Sequence, residues 1–297
     1  MAPSHRIARS VDVSNAILGD HLMSTVPRLP VLGAALPLAG LKMHRDWILE
    51  KQRDVEVQDF FWAEVLNGDW RPLAEEVRRT LDGHRGRLGI HGPFWGFTLA
   101  SKDPDVRAIV NRRMHQALDV CAALSATQMV VHSPYTTWDY NNLDYNPGGR
   151  EELVTRVHET MGDVVSRAES MGVTLVLENI EDKDPHARVE LVKTFNSSAF
   201  RVSLDTGHAN YAHGSTGGPP VDYYVHAAGA WLEHVHLQDT DGHADRHWNP
   251  GEGNIRWTEL FRALARLSSN PRLILEVRNK EEVRKGADHL VALGLAE

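Results

Sequence analysis

Eight short apolar runs, each followed by an amphipathic stretch, constrain this chain more than any other feature. The runs are VLGAALPL (31–38), VEVQDF (55–60), LGIHGPF (88–94), MVVHSPY (129–135), TLVLENI (174–180), RVSLDTGH (201–208), EHVHLQD (233–239) and RLILEVR (272–278). The last six are compact, as expected of strands buried on both faces; the first two carry the pattern more weakly. Between them, RPLAEEVRRTLDGH has Pro72 in its first turn. PDVRAIVNRRMHQALDVCAALSA and GREELVTRVHETMGDVVSRAESMG space their apolar residues as one face of a helix does. ARVELVKTF, VDYYVHAAGAW, WTELFRALARLS and EEVRKGADHLVAL complete the set. Strands that alternate with helices form a parallel sheet through right-handed crossovers. Eight such units predict an α/β fold, a closed (β/α)8 barrel. It forms a single domain over residues 31–297, preceded by an extension, residues 1–30. The alternative is a doubly wound open sheet, but the GxGxxG fingerprint common in that class is absent.

In such a barrel the chemistry gathers where the strands end. Read in order, those ends present His91, His132, Glu178, then Asp205 and His208, then His236, then Glu276, with Asp245 and His247 in the loop after the seventh strand. A carboxylate at the end of a buried strand is costly unless it is paired, hydrogen-bonded or bound to a metal. One strand-end histidine is ordinarily a packing residue. Six strands converging on one mouth with such residues point instead to a metal site. Mixed His and carboxylate donors suit Zn2+, Mn2+, Co2+ or Fe2+ better than Ca2+, and without a thiolate they select weakly among those four. His234, two residues before His236 on the same face, is expected deeper in the barrel in a structural role.

Composition narrows the partners. The net charge of −8 argues against a general nucleic-acid binder, which needs a basic face. The pairs Arg78–Arg79 and Arg112–Arg113 fall in predicted helices, where a solvated outer face is expected. The single cysteine, Cys121, excludes an intrachain disulfide and sits in an apolar helical pattern, as a buried structural thiol. No apolar run approaches the ~18 residues of a membrane span, and residues 1–18 lack the apolar core of a signal peptide. A cytoplasmic enzyme without a membrane or nucleic-acid partner is expected, with exposed barrel helices that allow a homo-oligomer.

The ordered set HG…HS…LEN…LDTGH…HVHLQD…DRH…GEGNI…LEV resembles the xylose isomerase-like TIM barrels over residues 31–297. That superfamily includes sugar phosphate isomerases and epimerases, inosose isomerases and dehydratases, and endonuclease IV-type enzymes. The resemblance implies that Glu178, Asp205, His236 and Glu276 form the shared four-ligand metal centre. The fuller endonuclease IV-type pattern would add His91 and His132 with Glu178 around one metal, and His208, Asp245 and His247 around another, so that one to three divalent metals are held per chain. Two positions depart from the ketose 3-epimerases. Asp184 stands where a Glu is common, and Gly242 stands where a substrate-binding Arg is common, for which Arg246 is a replacement.

Two chemistries follow from this ligand set. In sugar or sugar-phosphate isomerisation or epimerisation, a metal acidifies the proton beside a carbonyl and stabilises an enediolate. Glu178 and Glu276 would exchange that proton. His208 would hydrogen-bond a substrate oxygen, and Phe94, Trp95 and Trp138 would wall the sugar. The alternative is metal-assisted phosphodiester hydrolysis, as at abasic sites, or a lyase or dehydratase reaction on a sugar-like substrate.

Overall fold

The structure, a computed structural model, describes residues 29–297. The expected N-terminal extension therefore lies, for residues 1–28, outside the described residues. Eight parallel strands close on themselves: β1 (Gly33–Leu36), β2 (Val55–Val57), β3 (Leu88–His91), β4 (Gln128–His132), β5 (Thr174–Glu178), β6 (Phe200–Asp205), β7 (Leu232–Leu237) and β8 (Arg272–Leu275). Each pairs with the next in sequence, and β1 also pairs with β8. The open-sheet alternative is thereby excluded.

Every strand position from Leu175 to Glu178 is buried, as is most of each neighbouring strand. The helices cover the outer face and the mouth side chains plug the inner one, which is why these runs read as continuous rather than alternating. Long helices at Pro104–Leu124 and Gly149–Met171 pack against one another outside β3 to β5. Among the described residues, no helix is long and apolar enough to cross a membrane. Cys121 is fully buried, and burial pushes its thiol up to about 12, so it is an inert core group.

The strands end earlier than the apolar runs. LDTGH is not one strand: β6 stops at Asp205, and a helix, Thr206–Tyr211, begins at the next residue. The Asp205 carboxylate accepts the backbone N–H of His208 at 2.7 Å, a helix cap that ends the strand. His208 is therefore carried on a helix. One arginine also departs from expectation. Arg78, Arg79 and Arg112 are exposed, but Arg113 is buried and donates to Asn67 Oδ1 and Gln116 Oε1. Its guanidinium is used to join a short helix, Ala63–Asn67, to the barrel's outer layer.

A buried ion pair braces the wall beneath the mouth. Arg188 donates to the carbonyls of Leu177 on β5 and Ser203 on β6 at 2.8 and 2.5 Å, and its Nε lies 3.1 Å from Asp182 Oδ1. Asp182 in turn accepts from Ser133 Oγ and the Ile180 N–H. Both ion-pair partners are nearly inaccessible, so removing one strands the other. We expect Arg188→Met to lower stability by roughly 3–5 kcal/mol, read as a reduced urea midpoint at pH 8 with an unchanged slope.

Candidate metal centre

The register of the barrel brings four ligand candidates to one level. His132 pairs with Glu178, and Asp205 pairs with His236, so their side chains emerge from adjacent strands at the same height. Glu276 lies just past the end of β8 and is fixed by a backbone hydrogen bond to Leu237. Around the fully buried His236, Nδ1 lies 3.1 Å from Glu178 Oε1, 3.3 Å from Glu276 Oε2 and 3.9 Å from Asp205 Oδ2. The ligand atoms of these four residues all fall within 4.8 Å of one another.

The two other groups of candidates also converge. His91 Nε2 and His132 Nε2 approach Glu178 Oε2 at 3.7 and 3.8 Å, so the two oxygens of Glu178 face different groups. His208 Nε2 lies 3.5 Å from Asp245 Oδ1, and His247 Nε2 lies 3.1 Å from the same carboxylate. His247 adopts a left-handed backbone, φ 50°, uncommon for a residue with a side chain. Its N–H donates to Gln238 Oε1, and its ring donates to the Glu276 carbonyl at 3.1 Å. All nine sequence-predicted ligand candidates are thus brought to one mouth.

The fit to a cation rests on atoms left without partners. Glu178 Oε2 and Asp205 Oδ2 are buried acceptors that no donor reaches. Leaving such oxygens unpaired is costly, and a divalent cation would satisfy both at once. The titration behaviour is that of crowded charges. Burial would raise Glu178, but His236 outweighs it and holds the carboxyl well below the usual range. Burial, with Glu178 adding to it, pushes Asp205 up to about 6 against the pull of His208. Burial alone would lower His236, yet Glu276, Glu56 and Glu178 hold it well above the ordinary imidazole value. His132 has less compensation, and burial pushes it down to about 3.

Residues that sequence reasoning does not single out complete the shell. Asn179 clamps Asp205 through both backbone groups and accepts His208 Nδ1–H on its own carbonyl at 2.8 Å. Gln238 donates to Asp205 and Asp245, and its side chain fills the space above Gly207, where a Cβ would come within 2.1 Å of it. Gln58 donates to Glu276 Oε1 at 2.6 Å. Glu56, on β2, reaches His236 Nε2 at 3.0 Å and His234 Nε2 at 3.2 Å. His234, expected deeper in the barrel, has its ring buried between Glu56 and Ser203 Oγ. Only a carboxylate between two valines, Val55 and Val57, marks Glu56 in the sequence.

The expected substrate contacts separate. The Phe94 ring stacks on His132 at 4.2 Å and tilts against Trp95 at 4.7 Å; Phe61 and Trp62, from the loop after β2, extend this wall. Trp138 is 76% exposed and stands apart from that cluster. Arg246 is tied to Asp241 at 2.9 Å rather than to any ligand candidate. Asp184 caps the helix Pro185–Thr194, and Gly242 occupies a turn with φ 81°.

Comparison with known proteins bears on the family and the fold. The family model described as xylose isomerase-like TIM barrel matches residues 55–293. D-psicose 3-epimerase of Ruminiclostridium cellulolyticum is 30% identical over 210 residues, 68% of this chain and 67% of that protein. An uncharacterised protein of Methanocaldococcus jannaschii, MJ1311, is 26% identical over 240 residues, 77% of this chain and 78% of its own. The solved structure of the TTHB071 protein from Thermus thermophilus, soaked with ZnCl2, is 29% identical and superimposes with a TM-score of 0.68, covering 88% of this chain and 97% of that one.

A cation can bind only ligands that have lost their protons. In the cation-free chain burial works to lower His236, but the surrounding carboxylates hold it above the ordinary value. His247 is raised to about 9: burial opposes this, but Asp245, Glu276 and Asp205 outweigh it. At neutral pH both carry a proton that a cation must displace. Zinc affinity is therefore expected to rise with pH through and above the neutral range, with net proton release seen by calorimetry in buffers of different ionisation enthalpy. Affinity that stays flat with pH would remove His236 from the ligand set.

Proposed function

We propose that this chain, which belongs to the xylose isomerase-like TIM barrel family, is a divalent-metal-dependent epimerase or isomerase of a ketose or ketose phosphate. The observation that carries this reading is the convergence of Glu178, from β5, and Glu276, from the end of β8, on His236 Nδ1. The likeness to a D-psicose 3-epimerase supports it.

Glu178, Asp205, His236 and Glu276 would hold the catalytic cation. When bound, it supplies positive charge to the substrate's carbonyl and neighbouring hydroxyl, which acidifies the proton on the carbon between them. The chain's own groups do the rest. Burial would raise Glu178 and Glu276, but the surrounding imidazoles, His236 with His132 and His208 at Glu178 and His236 with His247 and His91 at Glu276, hold both below the usual carboxylate range. In the reacting form one of the pair is ionised and takes the substrate's proton, while the other carries one. The ionised carboxylate removes the proton, giving an enediolate; the other, which enters the step protonated, delivers its proton to the opposite face and inverts the centre, and the pair resets by exchanging the proton through water. Gln58 holds Glu276 by Oε1 and so aims Oε2 into the site. His208, fixed through Nδ1 by the Asn179 carbonyl, turns Nε2 toward the mouth, where it can donate to a substrate oxygen. The Phe94–Trp95 wall offers an apolar face to the C–H side of a sugar.

One observation favours a second reading. The groups His91–His132–Glu178 and His208–Asp245–His247 are assembled as well as the central four. Three cations there would suit phosphodiester hydrolysis or a lyase reaction. The net charge of −8 counts against a nucleic-acid substrate.

Incubation of metal-loaded enzyme with ketoses and ketose phosphates in D2O should place deuterium on the carbon beside the carbonyl. Exchange with none of them, together with nicking of abasic DNA, would overturn the first reading in favour of the second. Glu178→Gln and Glu276→Gln should each lower kcat by at least about 10^2–10^4, the usual worth of a general acid–base group. His247→Ala should cost a ketose epimerase less than about tenfold in kcat/KM, equivalent to ~1.4 kcal/mol. A larger loss, with three zinc ions per chain by elemental analysis, would support the multinuclear reading.

A further inference from the structure

The candidate histidines are oriented in two different ways. His91 donates Nδ1–H to the Gly92 carbonyl at 2.8 Å, His208 donates Nδ1–H to the Asn179 carbonyl at 2.8 Å, and His247 donates Nδ1–H to the Glu276 carbonyl at 3.1 Å. Each backbone acceptor leaves Nε2 directed into the mouth. His236 is reversed. Its Nδ1 faces Glu178, Glu276 and Asp205, and its Nε2 points down the barrel axis to a side chain, the Glu56 carboxylate, at 3.0 Å.

We infer that Glu56 is a positioning residue of the metal centre, holding His236 in the tautomer whose Nδ1 is free to ligate. The inference rests on His236 being a ligand, as proposed above. A neutral imidazole carries its proton on one nitrogen only, and a carboxylate acceptor at Nε2 decides which. Glu56 does more than choose the tautomer. A carboxylate behind a ligating imidazole raises its basicity and fixes its ring plane.

Glu56 is itself held in place. His234 donates from Nε2 to the same oxygen, Oε2, and its Nδ1 accepts from Ser203 Oγ at 2.9 Å. Ser203 is the β6 residue paired with Glu178, so the chain of contacts runs from the ligand strands into the barrel interior and back to His236. Glu56 and both histidines are almost wholly buried, so water does not compete for these positions. Arg272 also lines the barrel interior beside Glu56 and His234. A cation bound instead by Glu56, His234 and His236 would have to take His236 from the other nitrogen, which makes the two arrangements distinguishable.

Long-range 1H–15N correlation spectra of the zinc-loaded chain, with His236 assigned through His236→Gln, provide the first test. The expected result is a proton on Nε2 and a zinc-shifted, unprotonated Nδ1. A proton on Nδ1 would overturn the inference even if both Glu56 variants failed to fold. In calorimetric zinc titrations, Glu56→Leu should bind about 10–100-fold more weakly than the unmodified chain. Glu56→Gln, whose amide oxygen still accepts from Nε2–H, should recover most of that loss, with thermal melts confirming that both are folded. Leu binding as tightly as Glu, or Gln as weakly as Leu, would overturn it. If the unmodified chain binds zinc no better than His236→Gln does, the ligand role of His236 fails first, and the role of Glu56 with it.

Discussion

His236 stands, fully buried, between 3.0 and 3.9 Å from four carboxylates that arrive on four different segments: Glu56 from β2, Glu178 from β5, Asp205 from β6 and Glu276 from the end of β8. So many buried negative charges repel one another, and His236 alone cannot neutralise them. The arrangement persists because the closed strand ladder fixes where each side chain emerges. A barrel has no free edge along which a strand could slide to relieve the strain. Unpaired oxygens of Glu56, Glu178 and Asp205 are what remains of that conflict, and those of Glu178 and Asp205 are the atoms a divalent cation at the mouth would satisfy.

Much of the surrounding structure holds these groups still. Asn179 and Gln238 each contact two or more ligand-bearing segments, so the ends of β5, β6 and β7 and the loop carrying Asp245 and His247 form one hydrogen-bonded unit. Arg188 and Asp182 brace the same strands from outside. Asp239 organises the long loop after β7 by accepting from Gly251, Ile255 and the Trp257 indole. The loop geometry that brings Asp245 and His247 to the mouth therefore depends on a carboxylate with no part in the chemistry.

The strand-end residues are legible because their pattern is local: an apolar run that stops on His, Asp or Glu can be seen without knowing what faces it. His91, His132, Glu178, Asp205, His236 and Glu276 are all found in this way. Glu56 is not, because it lies inside a run rather than at its end, and a single carboxylate between valines has no local meaning. Gln58, Gln238 and Asn179 escape notice because amides titrate nothing and form no motif. The extent of LDTGH misleads because a helix cap, made by Asp205 to the backbone of His208, ends the strand where the apolar pattern does not. Arg113 is not on the solvated face expected of it, and nothing nearby in sequence shows that Asn67 waits across the helix layer.

What the sequence alone determined is the class of fold and the inventory of donors. Both follow from short-range physics: period and composition choose strand or helix, and eight alternations point to a parallel α/β fold whose closure the pairing of β1 with β8 then shows. What only the tertiary structure decided is which nitrogen of each histidine faces the mouth, which oxygen of Glu178 faces which group, and that Glu56 stands behind His236. Those choices are made by contacts between residues up to 180 positions apart, Glu56 and His236 among them. They depend on register around a closed ring, which no stretch of the chain encodes by itself.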